Sequence, residues 1–456
     1  MNSHKNLIVL LLAAIALLAA CNKGEFLEKI PDKSLLIPTK LNDLQALLDN
    51  NEYMNQTPYL SLIGADDHYS TNPGLSGPVR NSYIWQADIN EGEANGAWIR
   101  SYQQVFYANV VLEALQGIDQ TAENQAYWNS LKGGALFFRA HAFYNLAQEF
   151  AVAYDINTAG SKPGIPIRLS ADIGKAEGRG TVQATYDQVI KDLQEAIPLL
   201  PLTVTYKSRP NRVAALGLLA RVYQTMERYE EAGQYAGQAL ALYDVLIDYN
   251  TLNPASAVPF PRSLPFGLEE VIFYSSPIVD AYLINNTTTS ADTLLYRLYD
   301  NNDLRKAIFF IPRTPGFFGV KGNYTGSTYW FTGIATDELY LIRAECAARK
   351  GNTGAANQDL NTLLRKRWKA GTFTEIAASN AEDALRMVLT ERRKELLFRN
   401  LRWTDLRRLN KDQRFAVTLK RVYLGKEYQL PPNDPKYVFP IPEDEIAASG
   451  IEQNER

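Results

Sequence analysis

Two stretches of this chain obey one packing rule, and that rule restricts it to stacked helical pairs. The first is ALGLLARVYQTMERYEEAGQYAGQAL, residues 215–240. Leu219, Ala220 and Tyr223 share one face of a first helix, and Ala232 and Ala239 take the small positions of a second. Small side chains are needed there because two antiparallel helices can approach closely only where neither carries bulk. The second stretch is ELYLIRAECAARKGNTGAANQDLNTLL, residues 338–364. Ala344 and Ala356 reproduce the Ala220–Ala232 spacing, and Gly351 marks the turn.

This arrangement lines up with the tetratricopeptide repeat, and two copies in one chain predict a mainly α scaffold of helical pairs. Periodicity extends it. Thr39 is placed to cap a helix bearing Leu41, Leu44, Leu47 and Leu48. Trp98, Tyr102, Val105, Phe106, Asn109, Val110 and Leu112 share helical spacing, and 123–151 reads as a longer helix. Another helix runs from Thr181 to Pro201, and a charged one covers 381–399, followed by a short helix around 403–409 and a proline-punctuated tail. Two regions differ. Residues 61–97 read as a long loop, and 250–335, rich in Pro, Gly, Asn and aromatics, as an irregular insertion with a few short strands. Loops of that length are usually functional.

Scarce residues exclude whole chemistries. With 3 histidines and 2 cysteines, a disulfide framework is impossible and little room is left for a histidine-built metal site or a catalytic triad. Lys+Arg 47 against Asp+Glu 50 is a balanced surface, which argues against nucleic acid as a partner. The N-terminus explains one cysteine. Lys5 precedes an apolar run, Leu7–Ala20, too short for a comfortable membrane span and ending in small residues, as a signal peptide does. Leu18-Ala19-Ala20-Cys21 looks like a bacterial lipobox. The expected organisation is therefore a signal peptide over 1–20, lipidated Cys21 and a tether over 21–38, then one domain over 39–456. Asn22 favours the outer membrane.

With these features the chain resembles the SusD/RagB family, nutrient-binding lipoproteins of Bacteroides-type outer membranes. The matching stretches are GEFLEKIP after the lipobox; GIPIRL at 164–169 with Arg179, Thr181-Val182, Tyr186, Asp192-Leu193 and Leu200-Pro201; NRVAALGLLARVY; ELYLIRAECAARKGNTGAANQDLNTLLRKR; and ERRKELLFRNLRWTDLRRL with VFPIPEDEIAAS and GIEQN. They run in the family's order across nearly the whole mature chain. Arg399-Asn400, Ser449 and the short tail after Asn454 depart from the usual pattern, at positions that bear on helix packing. The resemblance implies a tetratricopeptide-like scaffold with long loops, no catalysis, a lipid-anchored place on the cell surface, a glycan or other nutrient as ligand, and a SusC-like TonB-dependent transporter as partner.

Sugar recognition needs aromatic faces to stack on pyranose C–H patches and polar groups to read hydroxyls. The loops offer Trp85, Trp98, Tyr282, Tyr324, Tyr329 and Trp330 as platforms, with Asp66, Asp67, Arg80, Asn285 and Asn323 as readers. Tyr102, Phe106 and Tyr223 are assigned to the core by their spacing. His141 reads as a core histidine and Cys346 as a packed thiol. No cofactor is expected, although oxygen ligands near Asp66-Asp67-His68 leave calcium open. Glu391 and Glu395, one helical turn apart among arginines, read as ion-paired structure rather than the facing acids of a glycosidase. A scaffold holding a peptide or another non-glycan nutrient remains the alternative function.

Overall fold

The computed structural model describes residues 38–456 except 263, 265, 266 and 279–286. Residues 1–37, which hold the expected signal peptide, Cys21 and nearly all of the expected tether, lie outside the described residues, as do Tyr282 and Asn285.

The frame is helical. In chain order its helices are α1 (Leu41–Leu48), α2 (Gly77–Tyr83), α3 (Gly96–Ala114), α4 (Gln125–Phe150), α5 (Val182–Leu199), α6 (Arg212–Thr225), α7 (Tyr229–Leu242), α8 (Thr336–Arg349), α9 (Thr353–Leu364), α10 (Ala381–Glu395), α11 (Arg402–Leu409) and α12 (Glu443–Ser449). Each of α3 to α10 packs on its neighbour in this order, and α7 packs directly against α8. The insertion therefore leaves the stack after α7 and returns at α8 without interrupting it.

The small residues do what their spacing requires. Ala220, Ala232, Ala239, Ala344 and Ala356 are fully buried at the helix crossings. Gly233 meets the Cβ of Cys346 at 3.0 Å from where its own Cβ would stand. Cys346 is buried in that contact, and burial pushes its thiol up to about 12. Gly351 has φ +82, the left-handed turn between α8 and α9 that glycine adopts without strain. His141 is buried between Phe137 and Phe273, and burial pushes its imidazole down to about 3, which keeps it neutral in the core.

Guanidinium forks tie helices of the stack together. Arg139 on α4 grips Asp192 on α5 with two bonds of 2.8 and 2.7 Å and donates a third to Asn109 on α3. Arg221 on α6 grips Glu338 on α8 at 2.7 and 2.6 Å. Such bidentate pairs fix angle as well as distance.

Some boundaries move. Lys40, not Thr39, stands at the N-cap of α1, without a side-chain bond. Asn95 and Thr181 cap α3 and α5, their side chains accepting from Ala97 N and Ala184 N. α10 stops at Glu395, short of 399, because Phe398 and Asn400 take positive φ (55° and 61°) and turn the chain toward α11. The 61–97 stretch is not all loop. It holds the strand β1 (His68–Ser70) and α2. β1 edges an antiparallel sheet with β2 (Thr289–Ala291), β4 (Phe317–Val320) and β3 (Phe310–Thr314), in the order β1-β2-β4-β3. A second surface hairpin, β5 (Leu419–Tyr423) with β6 (Lys426–Leu430), turns on Leu424-Gly425.

One buried acid gives the fold a pH signature. Glu149, at the end of α4, accepts from Ser61 N at 2.9 Å and Ser61 Oγ at 2.8 Å. Burial outweighs these bonds and raises its pKa from 4.5 to about 7. The unfolded chain gives up this proton near pH 4.5 and the folded chain near 7. Stability therefore falls as pH rises through that window. Glu149→Gln should raise the melting temperature at pH 8, by the equivalent of roughly 3 kcal/mol at most, and have little effect at pH 4.5. Thermal melts of both proteins across pH 4.5–8 check this.

Candidate functional site

The segment ERRKELLFRNLRW is the centre of an ion-pair lattice. Arg305, fully buried, bonds Asp303 through Nε and Nη2 (2.8 and 2.7 Å), Glu391 (2.6 Å) and Glu395 (2.9 Å). Arg367 donates to the other oxygen of Glu395 at 2.7 Å and pairs with Glu270. Arg399 pairs with Asp337 at 3.0 Å. Glu270, Asp337 and Glu395 lie close enough together to hold a metal ion, but guanidinium groups stand against all three. The paired acids of α10 are thus structural, as their arginine neighbours implied.

The same lattice claims several residues expected to read sugar hydroxyls. Arg402 grips Asp66 with bonds of 2.7 and 2.9 Å, and Arg393 pairs with Asp67 at 3.1 Å. Burial alone would raise Asp66, but Arg402 and Arg393 outweigh it and hold this carboxyl well below the usual range. Asp67 moves the other way, raised by burial and by the charge of Asp66 beside it. His68 is buried against the rings of Tyr83 and Phe398.

Most expected platforms are also inside. Trp85 is 1% exposed, donates its indole N–H to Gly64 O at 2.9 Å and lies under Arg421. Tyr324 is buried with its hydroxyl 3.0 Å from Asp337 and 3.1 Å from Glu270. Trp330 stacks on Phe398 with ring centroids 4.5 Å apart. Asn323 is buried and accepts from Phe331 N at 2.7 Å. Trp98 is 3% exposed and donates to Glu445. The physical reason is common to the three rings that lie in loops, Trp85, Tyr324 and Trp330. A large ring under a loop removes more apolar surface from water than the loop backbone could bury alone. Tyr329 stays 41% exposed and Arg80 stays at the surface. Tyr102 and Phe106, expected in the core, are only partly buried, and Phe106 is 37% exposed. Tyr223 is buried as expected.

Arg80 marks the concavity that the loops actually build. It lines an open cavity of about 660 Å³ with Asp88, Glu91, Tyr423, Lys426 and Tyr428. One wall is α2 and the 84–91 segment, and the other is the β5–β6 hairpin. Arg80 pairs with Glu91 at 2.8 Å, half in solvent, and Lys426 Nζ sits 5.0 Å over the Tyr428 ring. Three non-glycine residues around it hold left-handed backbone: Trp85 (φ 53), Glu91 (φ 50) and Leu424 (φ 49). Such strain costs about 1–3 kcal/mol per residue and gathers at functional sites. Asp88 holds part of it, accepting from Asn90 N and Glu91 N at 3.0 and 3.1 Å. The hairpin was missed in the sequence, although Leu419, Arg421 and Tyr423 alternate with exposed Lys420 and Val422 before a Leu-Gly turn.

A family model described as starch-binding and associating with the outer membrane matches residues 25–224, and the SusD family model matches residues 319–455. The chain belongs to the SusD/RagB family. A relative, SusD-like protein P2 of Formosa agariphila, is 24% identical over 395 residues, which cover 74% of this chain and 75% of that one. A SusD superfamily structure from Bacteroides thetaiotaomicron superposes with a TM-score of 0.74 at 22% identity, covering 91% of this chain and 100% of its own. A laminarin-binding SusD-like protein has a TM-score of 0.62 at 17% identity, covering 91% of this chain and 99% of its own. The mainly helical fold is that of the SusD superfamily. No helix among the described residues is long and apolar enough to cross a membrane.

The lattice makes a sharp stability prediction. Arg305→Met removes the one cation that all three acids share and leaves Asp303 and Glu391 to Lys394 and Glu395 to Arg367. Leaving a buried charge wholly unpaired costs about 3–5 kcal/mol, which is the upper bound here because each acid keeps one cation. Urea unfolding should show a lower midpoint with an unchanged slope.

Proposed function

We propose that this SusD/RagB protein binds a glycan at the cell surface and delivers it to a SusC-like TonB-dependent transporter. In this reading Cys21 carries the lipid that anchors it to the outer membrane, and binding proceeds without turnover or cofactor. The observation that carries the site assignment is the open 660 Å³ cavity, aromatic on the hairpin side and charged on the loop side. Its volume falls within the ~300–1,000 Å³ typical of ligand pockets. Tyr428 offers a ring whose present cover is the exposed Lys426 side chain. Arg80, Asp88 and Glu91 supply donors and acceptors on the facing wall. A sugar presents the matching surfaces: C–H faces for the ring and hydroxyls for the charges. The fold shared with a laminarin-binding protein supports the ligand class.

The test is affinity electrophoresis of the mature chain, lacking residues 1–21, against a polysaccharide panel. Tyr428→Ala, Arg80→Ala and Tyr329→Ala run beside wild type, each checked for an unchanged melting temperature. At least one glycan should retard the wild type. Tyr428→Ala should weaken that retardation by tenfold or more, about 1.4 kcal/mol. A glycan that still binds both Tyr428→Ala and Arg80→Ala at full strength would move the site away from this cavity. No retardation across the panel would favour a peptide or another nutrient.

A further inference from the structure

We propose a second, smaller saccharide subsite, lined by Tyr102, Phe106, Arg168 and Glu445, that takes one sugar ring of the same glycan chain. The proposal rests on the glycan-binding reading above. Its basis is a separate cavity of about 280 Å³ between α3, the 168–173 segment and α12.

The floor is an aromatic ladder. Trp98, Tyr102 and Phe106 stand at successive turns of α3, so one helix face carries all three rings. The lower two are immobilised. Trp98 packs edge-on to Phe150 at 5.1 Å and donates its N–H to Glu445 at 3.2 Å. Tyr102 lies 4.8 Å from Trp98 and donates its hydroxyl to Pro166 O at 2.9 Å. Phe106, more than a third exposed, presents its ring at the mouth.

The wall is equally fixed. The Asn109 amide donates to Arg168 O and Ser170 O at 3.0 and 3.2 Å. Glu113 accepts from Ser170 Oγ and Ala171 N, both at 2.8 Å. This pins the segment that carries Arg168. The Arg168 guanidinium reaches Glu445 only at 3.7 Å, longer than a hydrogen bond, and stays partly in solvent. A pinned floor and wall with a loosely held cation are a preorganised site, since little ordering remains to be done on binding.

The lining selects the ligand class. One cation faces two carboxylates, Glu445 and Asp172, so an anion is repelled. A purely apolar ligand would strand the Arg168 and Glu445 groups without water. A neutral ring with C–H faces and a rim of hydroxyls meets both requirements. The volume sits at the small end of ligand pockets, ~300 Å³, which suits one ring rather than a chain. The two cavities are joined by one stretch of backbone. Trp98 follows Glu91 by seven positions, so their Cα atoms lie within about 25 Å. A polysaccharide chain long enough to span that distance would engage both, and the second contact would then be intramolecular.

The test uses the mature chain and four methyl glycosides (gluco, galacto, manno and xylo) as single-ring probes, read by ligand-observed NMR at millimolar concentration. Variants are Phe106→Ala, Arg168→Met and, in the larger cavity, Tyr428→Ala. At least one glycoside should give a signal that falls tenfold or more in Phe106→Ala and in Arg168→Met but survives Tyr428→Ala. The polysaccharide found by electrophoresis should bind Phe106→Ala more weakly by tenfold or more, while its trisaccharide keeps full affinity for the larger cavity in both proteins. If no glycoside signal depends on Phe106 and Arg168, the second subsite is overturned, whereas Tyr428-dependent retardation would still uphold the first. If retardation does not depend on Tyr428 but a glycoside signal depends on Phe106, the larger cavity fails and this one stands.

Discussion

The buried pairing of arginines with carboxylates is the interaction on which this architecture depends. Arg305 and Arg367 join the insertion, through Asp303 and Glu270, to the end of α10, and Arg399 joins the turn that follows it to Asp337 on α8. Arg393 on α10 and Arg402 at the start of α11, on either side of that turn, reach the 66–67 loop. Three segments far apart in sequence thereby meet at one point. Burying so many ions costs several kcal/mol apiece before their attraction is counted, so the lattice is weak evidence for net stability. What it does supply is register. A fork of two N–H bonds tolerates little sliding, and a mispaired charge in the interior would be worse than none. A hydrophobic patch of the same area would hold the insertion to the stack without specifying where.

The helical stack has a different logic. Its helices meet through alanines and glycines, and the direct packing of α7 on α8 lets the chain depart for the whole insertion between them. The repeats therefore serve as a rigid frame. The sheet, the hairpin and the loops are free to vary in shape because none of them is needed to close the stack. Both cavities lie at the edge of this frame, along the chain from Arg80 through α3, where rigid helix and adaptable loop face each other.

Much of this was legible from residues alone. The alanine spacing identified the stacked pairs, the arginine-flanked Glu391 and Glu395 identified a structural helix, and His141 and Cys346 read as core. The binding surface was much less legible. Trp85, Trp98, Tyr324 and Trp330 share loop composition with Tyr329, yet only Tyr329 faces solvent to any extent. Nothing local separates a ring that covers a core from a ring that covers a ligand, because both sit in irregular backbone and both need an apolar contact. Tyr102 and Phe106 show the converse error. Helical spacing placed them on an inward face, but that face opens onto a cavity where the 168–173 segment stands off from α3.

By itself the sequence determined the elements whose cause is local or periodic: the helices, their close crossings, the family and the pairing character of the charged helix. Periodicity reports which face of a helix is apolar, and small residues report how near another helix can come. The tertiary structure alone decided which loop residues are available to a ligand. Asp66 and Asp67 become structural only because Arg393 and Arg402 arrive from more than three hundred residues away. The larger cavity exists only because the β5–β6 hairpin folds back beside α2. Both depend on contacts between distant segments, and the free energy of such contacts is set by geometry that no single stretch of sequence contains.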